Sequence, residues 1–520
     1  ALVVGGGIHG AVLAYKAACR GLKVLLAEKQ DFAAANSSNS LKILHGGLRY
    51  LQNLDFRRMR DSINSRREMM QFAPHLVSTL PCALPAYGHG LKGREIMRIA
   101  MLLNDLVGLD RNRDLAPASK LPAGHTVNKA QCLEWMPGLD PQGLHGASVW
   151  YDALATNTER LVLEYILGAC DLGARAINYL SLESLSPDGQ GQLQALLHDH
   201  HGDRDVSIRV EQVVNWAGMR FEALTGDHSR PRAPMRWARA LNIVVRKNLF
   251  PHCAAALEQT LDDRKRMLFL VPWRERYTLI GTHYLEQDRD VPLFPVGKDH
   301  LRALLDEINA LYPDAGLRFS DISFYHAGLL PVERKAAQSG AAQPALEKSA
   351  AIVDHARQGG LENVFSINST KYTTAPQVAE QVLKRLKNPS AAVGATLRGE
   401  ASSSPAPESE RDCYLFDKYG QRWHRVKPYA DAHADWLDED RTLLHGEVHY
   451  FIREEMALHL EDIVFRRSDL GSAECPSMKS LNQIAQIVAN EYSWSTEKTN
   501  KEISKVLRRY APLESAALAT

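Results

Sequence analysis

The sequence predicts an α/β (α+β) chain of three parts: a parallel-sheet domain, a mixed-sheet domain and a helical C-terminal domain. Three observations carry this. Residues 2–27 read strand, glycine turn, helix, strand. Runs rich in alternating or β-branched residues recur at 240–246, 267–272 and 278–282. Past a Ser/Pro-rich stretch, Val448, Ile452, Met456, Leu460 and Ile463 repeat at helical spacing.

The bulk numbers fit this division. A chain of 520 residues exceeds what one hydrophobic core fills. Apolar residues make up 45% and charged residues 24%, as in ordinary globular proteins. The 62 basic and 61 acidic side chains nearly cancel to +1, without the basic surplus of a nucleic-acid binder. Seven cysteines, an odd number with no C-x-x-C pair, argue against a disulfide framework or a structural metal site, and no metal is expected. They read as reduced, buried apolar fillers in a cytoplasmic protein. No apolar run reaches the length of a membrane span. The chain opens inside a strand and without Met, so residues upstream of Ala1 are an expectation for the full protein.

The first element is the most informative. Leu2-Val3-Val4 runs into Gly5-Gly6-Gly7-Ile8-His9-Gly10, a helical stretch to about Arg20, and a second strand ending at Glu28. This is the context in which a G-x-G-x-x-G turn binds a dinucleotide. Gly5 permits the tight turn, Gly7 has no Cβ to block a pyrophosphate, and Gly10 lets the helix approach the sheet. The helix N-terminus offers N–H groups and partial positive charge to phosphates. The Glu28 carboxylate suits ribose hydroxyls and would repel a 2′-phosphate, which argues against NADP. The turn alone does not separate FAD from NAD.

Residues 36–51, Asn-Ser-Ser-Asn-Ser-Leu-Lys-Ile-Leu-His-Gly-Gly-Leu-Arg-Tyr-Leu, form a polar segment able to line a flat ligand. Here the sequence resembles the FAD-dependent glycerol-3-phosphate dehydrogenase family, within the D-amino-acid-oxidase-like flavoproteins. Further along, Trp150-Tyr151-Asp152-Ala153, Val213-Val214-Asn215-Trp216-Ala217-Gly218, Phe269-Leu270-Val271-Pro272-Trp273 and Thr278-Leu279-Ile280-Gly281-Thr282 are similar to family segments. So are Ser369-Thr370-Lys371-Tyr372-Thr373-Thr374, which returns the chain to the flavin, and the C-terminal Phe465–Gly471 stretch.

The resemblance implies a Rossmann-like FAD-binding domain assembled from 1–80, 145–220 and 355–390. It implies a substrate domain from 81–144 and 221–354, a linker at 391–411, and a helical domain from 412 to 520. FAD is the implied cofactor, held by Gly5, Gly7, Gly10, Glu28, Ser37, Ser38, Lys42, His45, Gly47, Ala217, Gly218, Lys371 and Thr373. The implied chemistry is hydride transfer from a substrate C–O or C–N bond to flavin N5, with a base taking the substrate proton. Arg49, Lys371, His45, His283 and His326 are the catalytic candidates, the last two because they flank altered motifs.

Three departures concern the substrate, the first being the family's Gly-Thr-Thr-Asp turn, which is Gly281-Thr282-His283-Tyr284 here. Where the family shows Lys-Gly-Ser-His, this chain has Arg239-Ala240-Leu241-Asn242. Where it shows Gly-Val-Arg-Pro, this chain has Gly328-Leu329-Leu330-Pro331. A phosphate-facing guanidinium replaced by an isobutyl group loses charge-assisted hydrogen bonds. The expectation is therefore a small-molecule alcohol, polyol or amine, phosphorylated or not, that is larger or less anionic than glycerol 3-phosphate. The alternatives are a non-catalytic FAD-binding paralogue, or a true glycerol-3-phosphate dehydrogenase with rearranged cations such as Arg220 or Arg274. The resemblance also implies a quinone acceptor, with oxygen as the alternative. It adds peripheral contact with the inner face of a membrane, for which the basic, apolar stretch 93–109 is the candidate. The sequence does not give the oligomeric state.

Overall fold

The computed structural model describes residues 1–87, 94–216, 237–261, 264–287, 293–332, 346, 350–387 and 406–513. Its first sheet has six strands in the order Ala351–Asp354, Val364–Asn368, Val213–Asn215, Leu2–Val4, Leu25–Ala27 and Arg175–Ile177. All neighbours are parallel except the first pair. Leu2, Val3, Val213, Val214 and Val364 are almost wholly buried, as strands covered on both faces must be. One face carries the helices Ile8–Ala18, Thr158–Asp171 and Ala375–Leu383. Lys16 of the first helix and Arg20 just past its end both bind Glu380 of the last, at 2.9 and 2.8 Å, so distant parts of the chain close one layer.

The second sheet has eight strands in a continuous path from Ile322–Pro331 to Ile43–Leu44, with a ninth, His125–Asn128, on Leu144–Ala155. The expected strands at 240–246, 267–272 and 278–282 are present as Trp237–Val245, Arg264–Trp273 and Tyr277–Gln287. Side chains alternate between its faces. Leu241, Ile243, Ile280 and Tyr325 meet the helix Lys298–Leu311, whereas Val244, Val271, Trp273 and Phe324 meet the C-terminal helices.

Two sequence expectations need correction. Leu144–Ala155, assigned to the first domain, pairs along its length with Val77–Tyr87 and belongs to the second sheet. The apolar spacing from Val448 to Ile463 is not one helix. His445–Glu454 ends at Glu455, Met456 takes φ +54°, and the chain resumes as Leu460–Asp462 followed by a π-helical turn, Ile463–Arg467. Most of the expected linker lies outside the described residues, and the helix Glu410–Tyr419 begins within its range. Cys413 and Cys475 are exposed rather than buried, and all seven cysteines are unbridged.

The C-terminal domain grips the first through buried charge. Asp31, just past the second strand, accepts from Arg467 twice at 2.7 Å, from Arg466 at 2.5 Å and from Asn178 at 3.0 Å. Burial opposes its ionisation, but the two guanidinium groups hold its carboxyl well below the usual range.

Candidate functional site

The glycine turn sits between the first strand and the first helix, with Gly7 at the N-cap and no side-chain cap. A Cβ on Gly10 would run into the carbonyl of Gly5, so only glycine allows this helix to close on the turn. Ile8 N–H donates to Ser37 Oγ at 3.0 Å, which brings the polar segment against the helix N-terminus. Glu28 accepts from Gly6 N–H at 2.6 Å and Gln30 N–H at 2.9 Å, while burial pushes its carboxyl upward. Ser38, next to Ser37, and Thr373, in the returning segment, are both buried.

Two residues beside the turn escaped sequence reasoning as binding groups. His9 stacks on Trp216, with centroids 4.9 Å apart. His9 Nε2 and Trp216 Nε1 are both buried without a partner, and burial pushes the imidazole down to about 4. Unpartnered polar atoms at a buried glycine turn are what a cradle for a polar cofactor requires. His9 occupied an unconstrained position of the motif, so nothing in the pattern singled it out. Ala217 and Gly218 lie outside the described residues.

His45 follows the short strand Ile43–Leu44. Its Nδ1 lies 3.0 Å from Asp152 Oδ2, so Nδ1 carries the proton and donates it. Asp152 also accepts from Gly46 N–H at 2.6 Å, Arg66 at 2.7 Å and Trp150 Nε1 at 3.2 Å. Burial alone would raise the Asp152 carboxyl, yet the bonds from His45, Arg66 and Gly46 hold it at about 2. The His45 side chain keeps 47% exposure, with Phe269 at 5.5 Å between ring centroids. Asp152 and Arg66 were not sequence candidates. The Tyr-Asp-Ala segment marked the first, and only the fold brings the second.

The same sheet carries Asn242. Cross-strand pairing places Asn242 beside His326 and Ala238 beside Leu330, all on one face with Gly328. Phe269 pairs with Gly281, where any Cβ would collide with the Asn242 side chain. Thr282 Oγ1 donates to Asn242 Oδ1 at 2.8 Å. Asn36 reaches across to this sheet and bonds both main-chain groups of Leu329. Lys371 returns from the first domain to donate to Tyr50 Oη, its ammonium 4.9 Å from the ring. Arg49 is exposed on the same short helix as Tyr50, after Gly47 at its N-cap.

Three sequence candidates are taken up by other contacts within the protein. His283 pairs with Leu241 on the other face and bonds Glu307 at 2.8 Å, so it belongs to the helix Lys298–Leu311 side of the sheet. His326 shares the Asn242 face but is 2% exposed between Trp273 and Phe324, and burial pushes it far below the ordinary histidine range, so it is a core imidazole. Lys42 is enclosed with Glu159 at 3.0 Å and Thr158 at 3.1 Å, so its charge is spent within the protein.

Comparison with known proteins decides the class. The model of the family described as "FAD dependent oxidoreductase" matches residues 1–385. The chain belongs to the FAD-dependent oxidoreductase family. Residues 390–499 match the family described as the C-terminal domain of alpha-glycerophosphate oxidase. A glycerol-3-phosphate dehydrogenase of Synechocystis is 27% identical over 97% of this chain and 95% of its own length. An alpha-glycerophosphate oxidase of Lactococcus lactis is 33% identical over 64% of this chain and 54% of its own. In fold, the chain is similar to the glycerol-3-phosphate dehydrogenase of Bacillus halodurans solved with FAD, at a TM-score of 0.72 and 22% identity over 99% and 96% of the two chains. This oxidoreductase is thus an FAD enzyme, and the residues around its turn fit that cofactor. Gly10 lets the helix close on the Gly5 carbonyl, Glu28 accepts from Gly6 N–H, and His9 and Trp216 hold buried polar atoms without a partner.

Proposed function

We propose that this FAD-dependent oxidoreductase oxidises a C–O or C–N bond of an alcohol, polyol or amine that is less anionic, or larger, than glycerol 3-phosphate. The observation that carries the reading is Leu330, which shares the Asn242 face of the sheet in the strand position where the resemblance implies a phosphate-binding Arg. An isobutyl wall offers a phosphate no donor, and burying the dianion against it is costly. Arg274, a candidate substitute cation, is committed to Asp469 and lies 4.1 Å from the Trp273 ring.

Bound FAD supplies the two-electron acceptor. The remaining roles fall to side chains. His45 takes the substrate proton at Nε2, while Asp152 fixes the tautomer and stabilises the imidazolium. Asn242, held by Thr282, orients a substrate oxygen or nitrogen. Lys371 and Arg49 place positive charge where electrons arrive. Gly5, Gly7, Gly10, Glu28, Ser37, Ser38, Gly47 and Thr373 hold the cofactor.

The electron acceptor is proposed to be a quinone reached at a membrane surface. Ile99, Leu102, Leu106 and Leu109, on and just after the helix Arg94–Val107, are 56–77% exposed, and Leu54, at the end of the short helix Leu48–Asn53 that touches it, is 68% exposed. Such a face suits peripheral contact. Among the described residues no helix is long and apolar enough to cross a membrane.

Anaerobic mixing of the purified holoenzyme with polyols, phosphorylated alcohols and amines tests the proposal. Bleaching of the flavin absorbance by a non-phosphorylated class is expected. Bleaching by glycerol 3-phosphate in preference to every other member would overturn it.

A further inference from the structure

Away from the flavin residues, three histidines of the C-terminal domain come together. His445 and His449 stand at i and i+4 on the helix His445–Glu454, so both imidazoles leave one face. His433 ends the preceding helix, Trp423–Ala432. The chain folds it back, with Gly446 N–H donating to His433 O at 3.0 Å and His445 N–H to Asp435 O at 2.8 Å. Ring centroids are 4.7 Å apart for 433–445, 4.6 Å for 433–449 and 5.3 Å for 445–449, all stacked. One nitrogen from each lies within 4.8 Å of the others.

The neighbours complete the pattern. His449 Nδ1 lies 2.8 Å from Glu491 Oε1, so it donates its proton there and leaves Nε2 with a free lone pair. Arg453 holds the same carboxylate at 2.6 Å. An imidazole oriented by a carboxylate on its far nitrogen is the usual support of a metal-bound histidine.

We propose that His433, His445 and His449 bind a first-row transition-metal dication, Zn²⁺ in particular, with Glu491 orienting His449 and a fourth position open to water. The ligand type excludes Ca²⁺ and Mg²⁺, which take oxygen. Zn–N bonds of about 2.0–2.1 Å in a tetrahedron set nitrogens about 3.3 Å apart. The nitrogens need to close by only about 1.5 Å to reach it, by torsions of the three side chains. The ion would tie the end of one helix to the start of the next across the segment bridged at Trp436 and Leu444. The sequence carried half of this signal, the His-x-x-x-His spacing at 445 and 449. The fold supplies the third ligand.

The test uses untagged, FAD-loaded full-length protein, dialysed against a chelator and titrated with ZnCl₂ in competition with a chromophoric chelator. One Zn²⁺ per chain is expected, with affinity falling at least tenfold in H445A and in H449A, and about 10–100-fold in E491Q. Zn²⁺ should raise the thermal midpoint of the wild type and not of H449A. FAD content and flavin bleaching should be unchanged in all three. If H445A fails to retain FAD, H433A at the exposed member carries the test. No saturable binding at micromolar Zn²⁺, or wild-type affinity in the histidine variants, would overturn the proposal.

Discussion

Asn36 and Leu329 are bonded in both directions: the Asn36 amide donates to Leu329 O at 2.7 Å, and Leu329 N–H donates to Asn36 Oδ1 at 2.8 Å. A side chain thereby pairs like a strand, and it joins the polar cofactor segment to the strand that carries Leu330. Asn36→Ala would leave two main-chain groups of a partly buried strand unmet, at about 1 kcal/mol each. A thermal midpoint lowered by a few degrees is expected, with substrate KM raised and FAD content nearly unchanged. An unaltered KM would mean that this clamp does not set the substrate wall.

Asp152→Asn should be more severe. It weakens the hold on His45 and leaves the buried Arg66 guanidinium without its counter-charge, a change that costs about 3–5 kcal/mol. Anaerobic flavin bleaching should slow at least tenfold at saturating substrate.

The same carboxylate has a pH signature. Its folded value, about 2, is below the ordinary 3.8, so its stabilisation is fully present above about pH 4 and lost as pH falls toward 2. At about 1.4 kcal/mol per unit the contribution is roughly 2 kcal/mol. Urea unfolding at stepped pH should show this loss in the wild type, and a shallower one in Asp152→Asn.

Gly10→Ala would push a methyl group into the Gly5 carbonyl and part the helix from the turn. The flavin absorbance per chain after purification should drop severalfold. A fully loaded variant would show that the turn does not bind the cofactor as argued.

The cofactor half was legible in the sequence because its signals are local. A glycine turn, its flanking strands and Glu28 lie within 28 residues, and their spacing is set by backbone sterics. The substrate half depends on cross-strand pairing between residues some 80 positions apart, such as Asn242 and His326. Period-2 alternation then decides which face each residue takes. His283 and His326 both flank altered motifs, yet one falls on the helix-covered face and the other under the C-terminal domain. Lys42 reads as a cofactor contact in sequence, but Glu159, more than a hundred residues on, claims it. Nor could local pattern show that Met456 breaks the helix, since its apolar spacing continues unbroken.

Leu330→Arg restores the guanidinium implied by the resemblance. It should improve flavin reduction by phosphorylated alcohols at least tenfold relative to neutral substrates, measured as the ratio of bleaching rates. An unchanged ratio would place Leu330 outside the substrate wall.

The central claim, a familiar FAD cradle with an altered substrate wall, is tested most directly by one rate. Wild-type holoenzyme is mixed anaerobically with glycerol 3-phosphate in a stopped-flow spectrometer, and the flavin absorbance is followed. The account predicts bleaching that is absent, or at least a hundredfold slower than with the best non-phosphorylated alcohol, polyol or amine. Rapid, saturable and complete bleaching by glycerol 3-phosphate would contradict it.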